Sequence, residues 1–468
     1  MTECNQTTFE FQGLNRRKVE VDFRGGQVSS DGGGLLLREV ERRRGWVRSF
    51  AECFDDYRDA HWVEHSVREM AGQRIFGLAL GYEDLNDHEF LRADPLLAVL
   101  CEKADPTGSD RLRAEDQGKP LAGKSTLNRL EHGQGALSRY KKVVVREEAV
   151  AELFVTQFIR RQEEIPTRLV LDLDATDDPL YGKQEGRFFH GYYDSYCYLP
   201  LYIFCGDDLL CAKLRPSNID ASEGALEEVQ RIVGRLREAW PEVQIILRGD
   251  SGFAREEIMS WCEANGVDFI FGLARNSRLE TLLSPAMESA RGWHELMGQP
   301  VRVFMELKYQ TQKTWSRARR VIGKAEYLEK GANPRFVVTS LSAEEVGARE
   351  LYEVEYCGRG EMENRIKEQQ LDLFADRTST ATMKANQLRV WLSAIAYSLL
   401  NDLRVLGLKG TQLAQATCGT IRTRLLKIGA LIRVSVRRVL IHLASSCPRQ
   451  EVFVQALMNL RQQTLESS

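Results

Sequence analysis

The sequence predicts an α/β fold interrupted by a β-rich insertion and flanked on both sides by helical regions. Three observations predict it. From Arg168 the apolar period shortens to two, giving strand, strand, strand, helix, strand. From Asn276 to Glu350 extended segments alternate with Gly, Pro and charged turns. Up to about residue 165, and again from Arg359, apolar residues recur at helical spacing.

The elements follow in order. Val63–Leu80 and Glu147–Arg161 carry apolar residues three and four apart and read as helices. Between them ADPTGSDRLRAEDQGKP (104–120) is polar and rich in turn formers, so it reads as a loop. Arg168–Thr176, Tyr196–Cys205, Leu209–Leu214 and Val243–Arg248 read as strands, the first three as a meander. The helical stretch Ser222–Trp240 falls between the third and fourth. Helix Arg255–Asn265 and strand Asp268–Leu273 come next. In the insertion VRVFMELKYQ, Ala318–Ile322 and Arg335–Ser340 are extended, and Trp293 and Trp315 read as core or surface aromatics. Beyond it Gln387–Leu406 has the clearest apolar stripe.

A chain of 468 residues suggests about two to four domains. With 43% hydrophobic and 28% charged residues it is an ordinary globular composition, which excludes a disordered chain. The net charge of -3 argues against nucleic-acid binding, but it hides an asymmetry. From Lys384 to Leu440, ten basic residues (Lys384, Arg389, Arg404, Lys409, Arg422, Arg424, Lys427, Arg433, Arg437, Arg438) face the single acid Asp402. The ten cysteines are scattered without Cys-x-x-Cys, as expected of reduced thiols in a cytoplasmic protein. MTECNQTTFEFQ is not a signal peptide, and the apolar run Leu392–Leu400 is too short to span a membrane.

Two motif matches fail on context. Gly118-Lys-Pro-Leu-Ala-Gly-Lys-Ser125 fits the P-loop pattern, which needs a hydrophobic strand just upstream so that the loop opens a helix. Here the upstream residues are Asp110-Arg-Leu-Arg-Ala-Glu-Asp-Gln, and Pro120 removes an N–H donor. Ser125 or Thr126 is expected instead to cap a helix whose Lys124 and Arg129 reach a phosphate backbone. His61-Trp-Val-Glu-His65 fits a zinc-hydrolase pattern without a third ligand. Its histidines are read as structural, at the start of an amphipathic helix with Trp62 and Val63 facing the core.

Three acidic clusters remain. In Arg168–Thr176 alternation puts Leu169, Leu171 and Leu173 on one face and Val170, Asp172 and Asp174 on the other. Two acids on one face of an apolar strand are costly unless a cation or donors meet them. Val243–Arg248 stops at Gly249-Asp250-Ser-Gly252, so Asp250 emerges at the carboxyl edge, where open α/β sheets bind ligands. Tyr356, Arg359, Glu363 and Lys367 are spaced to share one helix face, a pattern that an exposed salt-bridged stripe would also give.

In the order Asp, Asp, Glu these clusters resemble the DDE transposases of bacterial insertion sequences, most specifically the insertion-sequence 1380 family. LDLDATDDPLYG resembles that family's first-acid strand and LRGDSGF its second-acid turn. YCGRGEMENRIKE is similar to the Tyr-x2-Arg-x3-Glu-x6-Lys signature up to the Glu, the closing Lys falling on Gln370. GYEDLNDHEFLRADPLL and ANQLRVWLSAIAYSLLNDLR extend the resemblance over nearly the whole chain.

The resemblance implies an RNase H-like mixed-sheet core split by the insertion. The first part would span 166–275 and the second 351–380, with the insertion at 276–350. A helical DNA-binding region (1–165) and a basic helical region (381–468) would flank them. It implies Asp174, Asp250 and Glu363 as catalytic metal ligands, with Asp172 the alternative to Asp174. Two Mg2+ ions, replaceable by Mn2+, would occupy the site. Tyr356, Arg359, Lys367 and Arg248, with Lys124 and Arg129, would contact DNA. The expected activity is cleavage at terminal inverted repeats and strand transfer into target DNA by a homodimer. The rival expectations are a metal-dependent nuclease on the same fold and a catalytically silent DNA-binding regulator.

Overall fold

The structure, a computed structural model, describes residues 8–133, 138 and 141–465. The chain divides into two compact units, Met1–Val144 together with Ile395–Ser468, and Val145–Ala394.

The Val145–Ala394 unit is built on one sheet. Helix α1 (Glu147–Arg161) precedes an antiparallel meander of β1 (Arg168–Ala175), β2 (Leu201–Cys205) and β3 (Asp208–Lys213). Helix α2 (Ala225–Ala239) carries the chain to β4 (Gln244–Gly249), parallel to β1, and α3 (Glu256–Ala264) to β5 (Asp268–Leu273), parallel to β4. β1 and β4 are central because both are apolar runs. Leu169, Leu171, Leu173, Ile245 and Leu247 are buried with Val155 and Phe158 of α1, Ile232 and Leu236 of α2, and Ile258 and Met259 of α3. Ile246 and Ile270 bury the opposite face against Leu351 and Tyr352.

The segment Asn276–Glu350 differs from its β-rich expectation. It opens with a 21-residue helix, α4 (Ser277–Met297), capped by the Asn276 side chain, which accepts from the Leu279 N–H at 3.1 Å. Leu279, Leu283, Ala286 and Ala290 form its buried stripe. Pro285 inside the helix and the exposed charges around it dilute that period in the sequence. The strands β6 (Val301–Tyr309), β7 (Arg319–Leu328) and β8 (Arg335–Thr339) extend the same sheet, in the order β3-β2-β1-β4-β5-β8-β7-β6. Gly331–Ala332 pairs with β7 as its ninth strand. Trp315 is buried in this core, and Trp293 is half exposed on α4.

After β8 the chain runs into an irregular helix. Its hydrogen bonding is π over Leu351–Tyr356, 3-10 over Cys357–Arg359, α over α5 (Gly360–Lys367) and π again over Glu368–Asp372. Such switches often mark functional sites.

The other unit departs from the expected helices at several points. Ser66 and Glu69 make a capping box, so the helix expected from Val63 begins at Val67. Trp62 is left in the single turn Ala60–Trp62 and is exposed rather than facing the core. The helix Lys124–Glu131 takes Gly123 as its N-cap, and neither Ser125 nor Thr126 caps it; the Glu89 carboxylate accepts from the Lys124 N–H at 2.8 Å instead. Phe9–Leu14 and Arg17–Val21 form a hairpin in the N-terminal region. Much of the basic C-terminal stretch is also strand: Ala430–Ser435 and Arg438–Leu443 pair as a hairpin, joined by Gln27–Ser29. No helix among the described residues is long and apolar enough to cross a membrane.

Candidate active site

Asp174, Asp250 and Glu363 line one pocket of about 450 Å3, together with Arg359, Lys367 and Gln370. Three separate elements deliver the acids. β1 and β4 run in parallel register, Leu171 opposite Leu247 and Asp172 opposite Arg248. β4 then ends at Gly249, and Asp250 turns out at its carboxyl end with Oδ1 accepting from the Gly252 N–H at 2.8 Å. Phe253 is fully buried and anchors that turn. Glu363 comes from α5, one turn after Arg359 and one before Lys367.

Asp174 is strongly perturbed. One oxygen accepts from the Ala175 N–H at 2.9 Å, and the other faces Arg359 Nη1 at 3.7 Å. Burial pushes its carboxyl up to about 7; Arg359 pulls against that, and the neighbouring Asp250 and Glu363 charges add to it. Arg359 also donates from Nη2 to Glu363 Oε1 at 2.9 Å. Burial works against the Arg359 charge, yet Asp174, Tyr356, Glu363 and Asp250 outweigh it and hold its pKa above the ordinary value. One guanidinium therefore bridges two carboxylates from different elements.

Asp172, on the same face of β1, is engaged differently. Arg248 donates to both of its oxygens, Nη2 to Oδ2 at 2.8 Å, and the same guanidinium donates to the Glu355 carbonyl. Asp172 is 3% exposed. Glycine makes this packing possible at two places. A Cβ on Gly358 would stand 2.7 Å from Arg248 Nη1, and one on Gly272 would stand 2.6 Å from the Tyr356 hydroxyl and 3.0 Å from the Ser251 nitrogen. Burial, with Asp250 nearby and Arg359 opposing, raises the Tyr356 hydroxyl above its usual pKa.

Gln370, where the signature's lysine was expected, donates to the Asp177 carbonyl at 2.9 Å, while Lys367 is the exposed lysine at the pocket. His190, Tyr192 and Tyr193 complete the rim from the turn between Phe188–His190 and Ser195–Tyr198. Sequence reasoning missed them, although the run His190-Gly-Tyr-Tyr-Asp194 of aromatics in a polar turn was a visible signal. The Tyr193 hydroxyl donates to the Ala175 carbonyl at 3.3 Å, tying the turn to the end of β1.

Lys124 and Arg129 lie in the other unit, both exposed on the helix Lys124–Glu131, with Lys124 Nζ donating to Asn86 Oδ1 at 2.7 Å. The two histidines of His61–His65 are not drawn together on a metal. His61 is exposed beside Asp59, whereas His65 is buried against Arg111 and kept neutral, with its pKa lowered to about 3 by burial and by Arg111. Within the basic stretch, Arg404 is buried, Arg422 donates to the Leu78 and Ala79 carbonyls, and Lys427 pairs with Asp31.

Oxygen donors of this kind suit a hard divalent cation. A buried Asp174 beside two further acids is unfavourable as a bare anion, so the donor chemistry fits such an ion. The spacing is another matter. Among the described residues no three His, Cys, Asp or Glu side chains are already grouped to hold a metal, and Arg359 lies between Asp174 and Glu363.

No curated protein matches the chain. Among solved structures it is similar to a piggyBac transposase synaptic complex with hairpin DNA, determined by cryo-EM. The two share 10% identity and a TM-score of 0.39 over 94% of this chain and 83% of the other. The family described as Transposase DDE domain group 1 matches residues 11–465, and the chain belongs to that family.

Proposed function

We propose that this transposase cleaves DNA at the terminal inverted repeats of its element and joins the ends to target DNA, with Asp174, Asp250 and Glu363 as the catalytic acids. The observation that carries the reading is the single pocket that these three line with Arg359 and Lys367, although up to 189 residues of chain separate them. The strand order β3-β2-β1-β4-β5, an antiparallel meander followed by two strands parallel to β1, supports an RNase H-like core. The signature residues Tyr356, Arg359 and Glu363 support a place near the insertion-sequence 1380 family.

Two divalent cations, Mg2+ or Mn2+, held by the three acids would supply the Lewis acidity for in-line displacement at phosphorus. The side chains of this chain do the rest. Arg359 and Lys367 hold phosphate oxygens, and the Tyr356 hydroxyl packs beside the Asp250 turn over the open face of Gly272. Arg248 is better read as the residue that neutralises and fixes Asp172 than as a DNA contact, because each of its three nitrogens already donates to a protein oxygen. That leaves Asp174 as the first acid. In cleavage a water oxygen bonds to phosphorus and the 3′ oxygen leaves; in joining that 3′-hydroxyl oxygen bonds to the target phosphorus and the target strand's own 3′ oxygen leaves in turn. Lys124, Arg129 and the exposed Arg433, Arg437 and Arg438 would hold flanking DNA. A homodimer bringing two ends together is the assembly that such joining requires.

Asp174→Ala, Asp250→Ala and Glu363→Ala are each expected to abolish cleavage of duplexes taken from the DNA flanking the gene, while leaving their binding within a few-fold. Full cleavage by any one variant refutes its assignment. Cleavage without joining by the unaltered protein would leave a nuclease; no cleavage in Mg2+ or Mn2+ would leave a DNA-binding regulator.

A further inference from the structure

We propose that Arg359 is a cationic plug. It occupies the gap between Asp174 and Glu363 until a DNA phosphate draws its guanidinium away, so that divalent-cation binding is coupled to DNA binding. The inference rests on the catalytic assignment above.

The geometry argues for it directly. A guanidinium cannot lose its proton under ordinary conditions, so its charge persists wherever it sits. Here it lies 2.9 Å from Glu363 Oε1 and 3.7 Å from Asp174 Oδ2. The second Asp174 oxygen is already taken by the Ala175 N–H. A divalent cation placed between the acids would therefore meet a like charge at close range and an Asp174 carboxylate whose two oxygens are both engaged. The acids are also not gathered for a metal as they stand. Arg359 sits in Gly358-Arg-Gly360, where the helix changes from 3-10 to α geometry, and a Cβ added at Gly360 would meet nothing within 4 Å. Its side chain is only part buried, at 19% exposure, at a pocket whose other cation is the exposed Lys367. A phosphate offers Arg359 the bidentate oxygen pair that the two carboxylates now supply separately. By linkage, any factor by which DNA tightens metal binding is the factor by which metal tightens DNA binding.

The test is Mn2+ binding to the full-length chain by calorimetry, with and without a mixed-sequence DNA duplex. For the unaltered protein the duplex should tighten Mn2+ binding about tenfold or more. Arg359→Gln should bind Mn2+ tightly without DNA and gain little from the duplex, and Arg359→Lys, a compact charge without the fork, should fall between. Arg359→Gln binding Mn2+ no better than the unaltered protein, or worse, overturns the plug. Adding Asp174→Asn to Arg359→Gln separates the two ideas. Loss of Mn2+ binding in the double variant keeps the metal assignment even where the plug fails. Unchanged binding in the double variant, or no binding by any protein with or without DNA, overturns the assignment and the plug with it.

Discussion

Replacing Asp174 by Asn should make the protein more stable above neutral pH while removing its activity. In the folded chain burial raises the Asp174 carboxyl from 3.8 to about 7, so the native state holds this proton more tightly than the unfolded chain does. A raised carboxyl of this kind contributes stability fully below about pH 4, and the contribution is lost as pH rises through about 7. A carboxyl raised from 3.8 to about 7 corresponds to about 4 kcal/mol, and the 16% of the side chain left exposed trims it to about 2–4 kcal/mol. Asn keeps the acceptor for the Ala175 N–H without a charge to bury. Urea denaturation of both proteins in EDTA, from about pH 5 to about pH 8.5, should therefore show curves that diverge through neutrality and then run parallel, Asp174→Asn on top. Saturating Mn2+ should narrow the gap by stabilising only the unaltered protein, by about 2.7 kcal/mol at a hundred times Kd. Parallel curves over the whole range, or a less stable Asn variant at high pH, would refute the claim that Asp174 is held as a disfavoured anion.

Two further substitutions probe how the pocket is supported. Arg248→Ala leaves Asp172 buried without its partner and should cost about 3–5 kcal/mol in urea denaturation, whereas Arg248→Met combined with Asp172→Leu should recover most of that loss. A single-variant loss below about 1 kcal/mol would show that the pair is dispensable. Gly272→Ala pushes a methyl group toward the Tyr356 hydroxyl and the Asp250 turn. It should cost about 1–3 kcal/mol and slow cleavage further than that loss of stability explains. Adding Tyr356→Phe should return part of both, and a strictly additive double variant would refute the contact.

The sheet strands were legible because their signals are local. β1, β3, β4 and β5 are apolar runs that end in Gly or charged turns, and each forms within a residue or two of its expected bounds. Helix α4 was not legible, since Pro285 interrupts its stripe and its Asn276 cap looks like any loop asparagine. The extent of the sheet was hidden for a different reason. Pairing β8 with β5 is a contact between distant segments, and alternation in a strand reports burial without naming a partner. The pocket was legible in its acids and in Arg359, which sit in short patterned runs. It was not legible in Tyr192 and Tyr193, which reach it only through a turn tied to the Ala175 carbonyl.

The choice between Asp172 and Asp174 turns on register. Both acids point to the same side of β1, so alternation treats them alike. Parallel pairing does not. With Leu171 beside Leu247, Asp172 falls beside Arg248 and Leu173 beside Gly249, where β4 stops. One step further along the same alignment brings Asp174 level with Asp250. The inner acid thus meets a fixed guanidinium inside the sheet, and the outer acid meets a second acid just beyond its edge. Setting LDLD against LRGD gives the same pairing from the letters alone, once the two strands are taken as parallel neighbours. The cost of burying Asp172 is offset locally by Arg248. Beside Asp174 and Asp250 the remaining charge is shared with Arg359, which lies between Gly358 and Gly360. On the proposal that Arg359 yields to a DNA phosphate, the acid free to take a catalytic cation is Asp174, whereas Asp172 stays paired with Arg248.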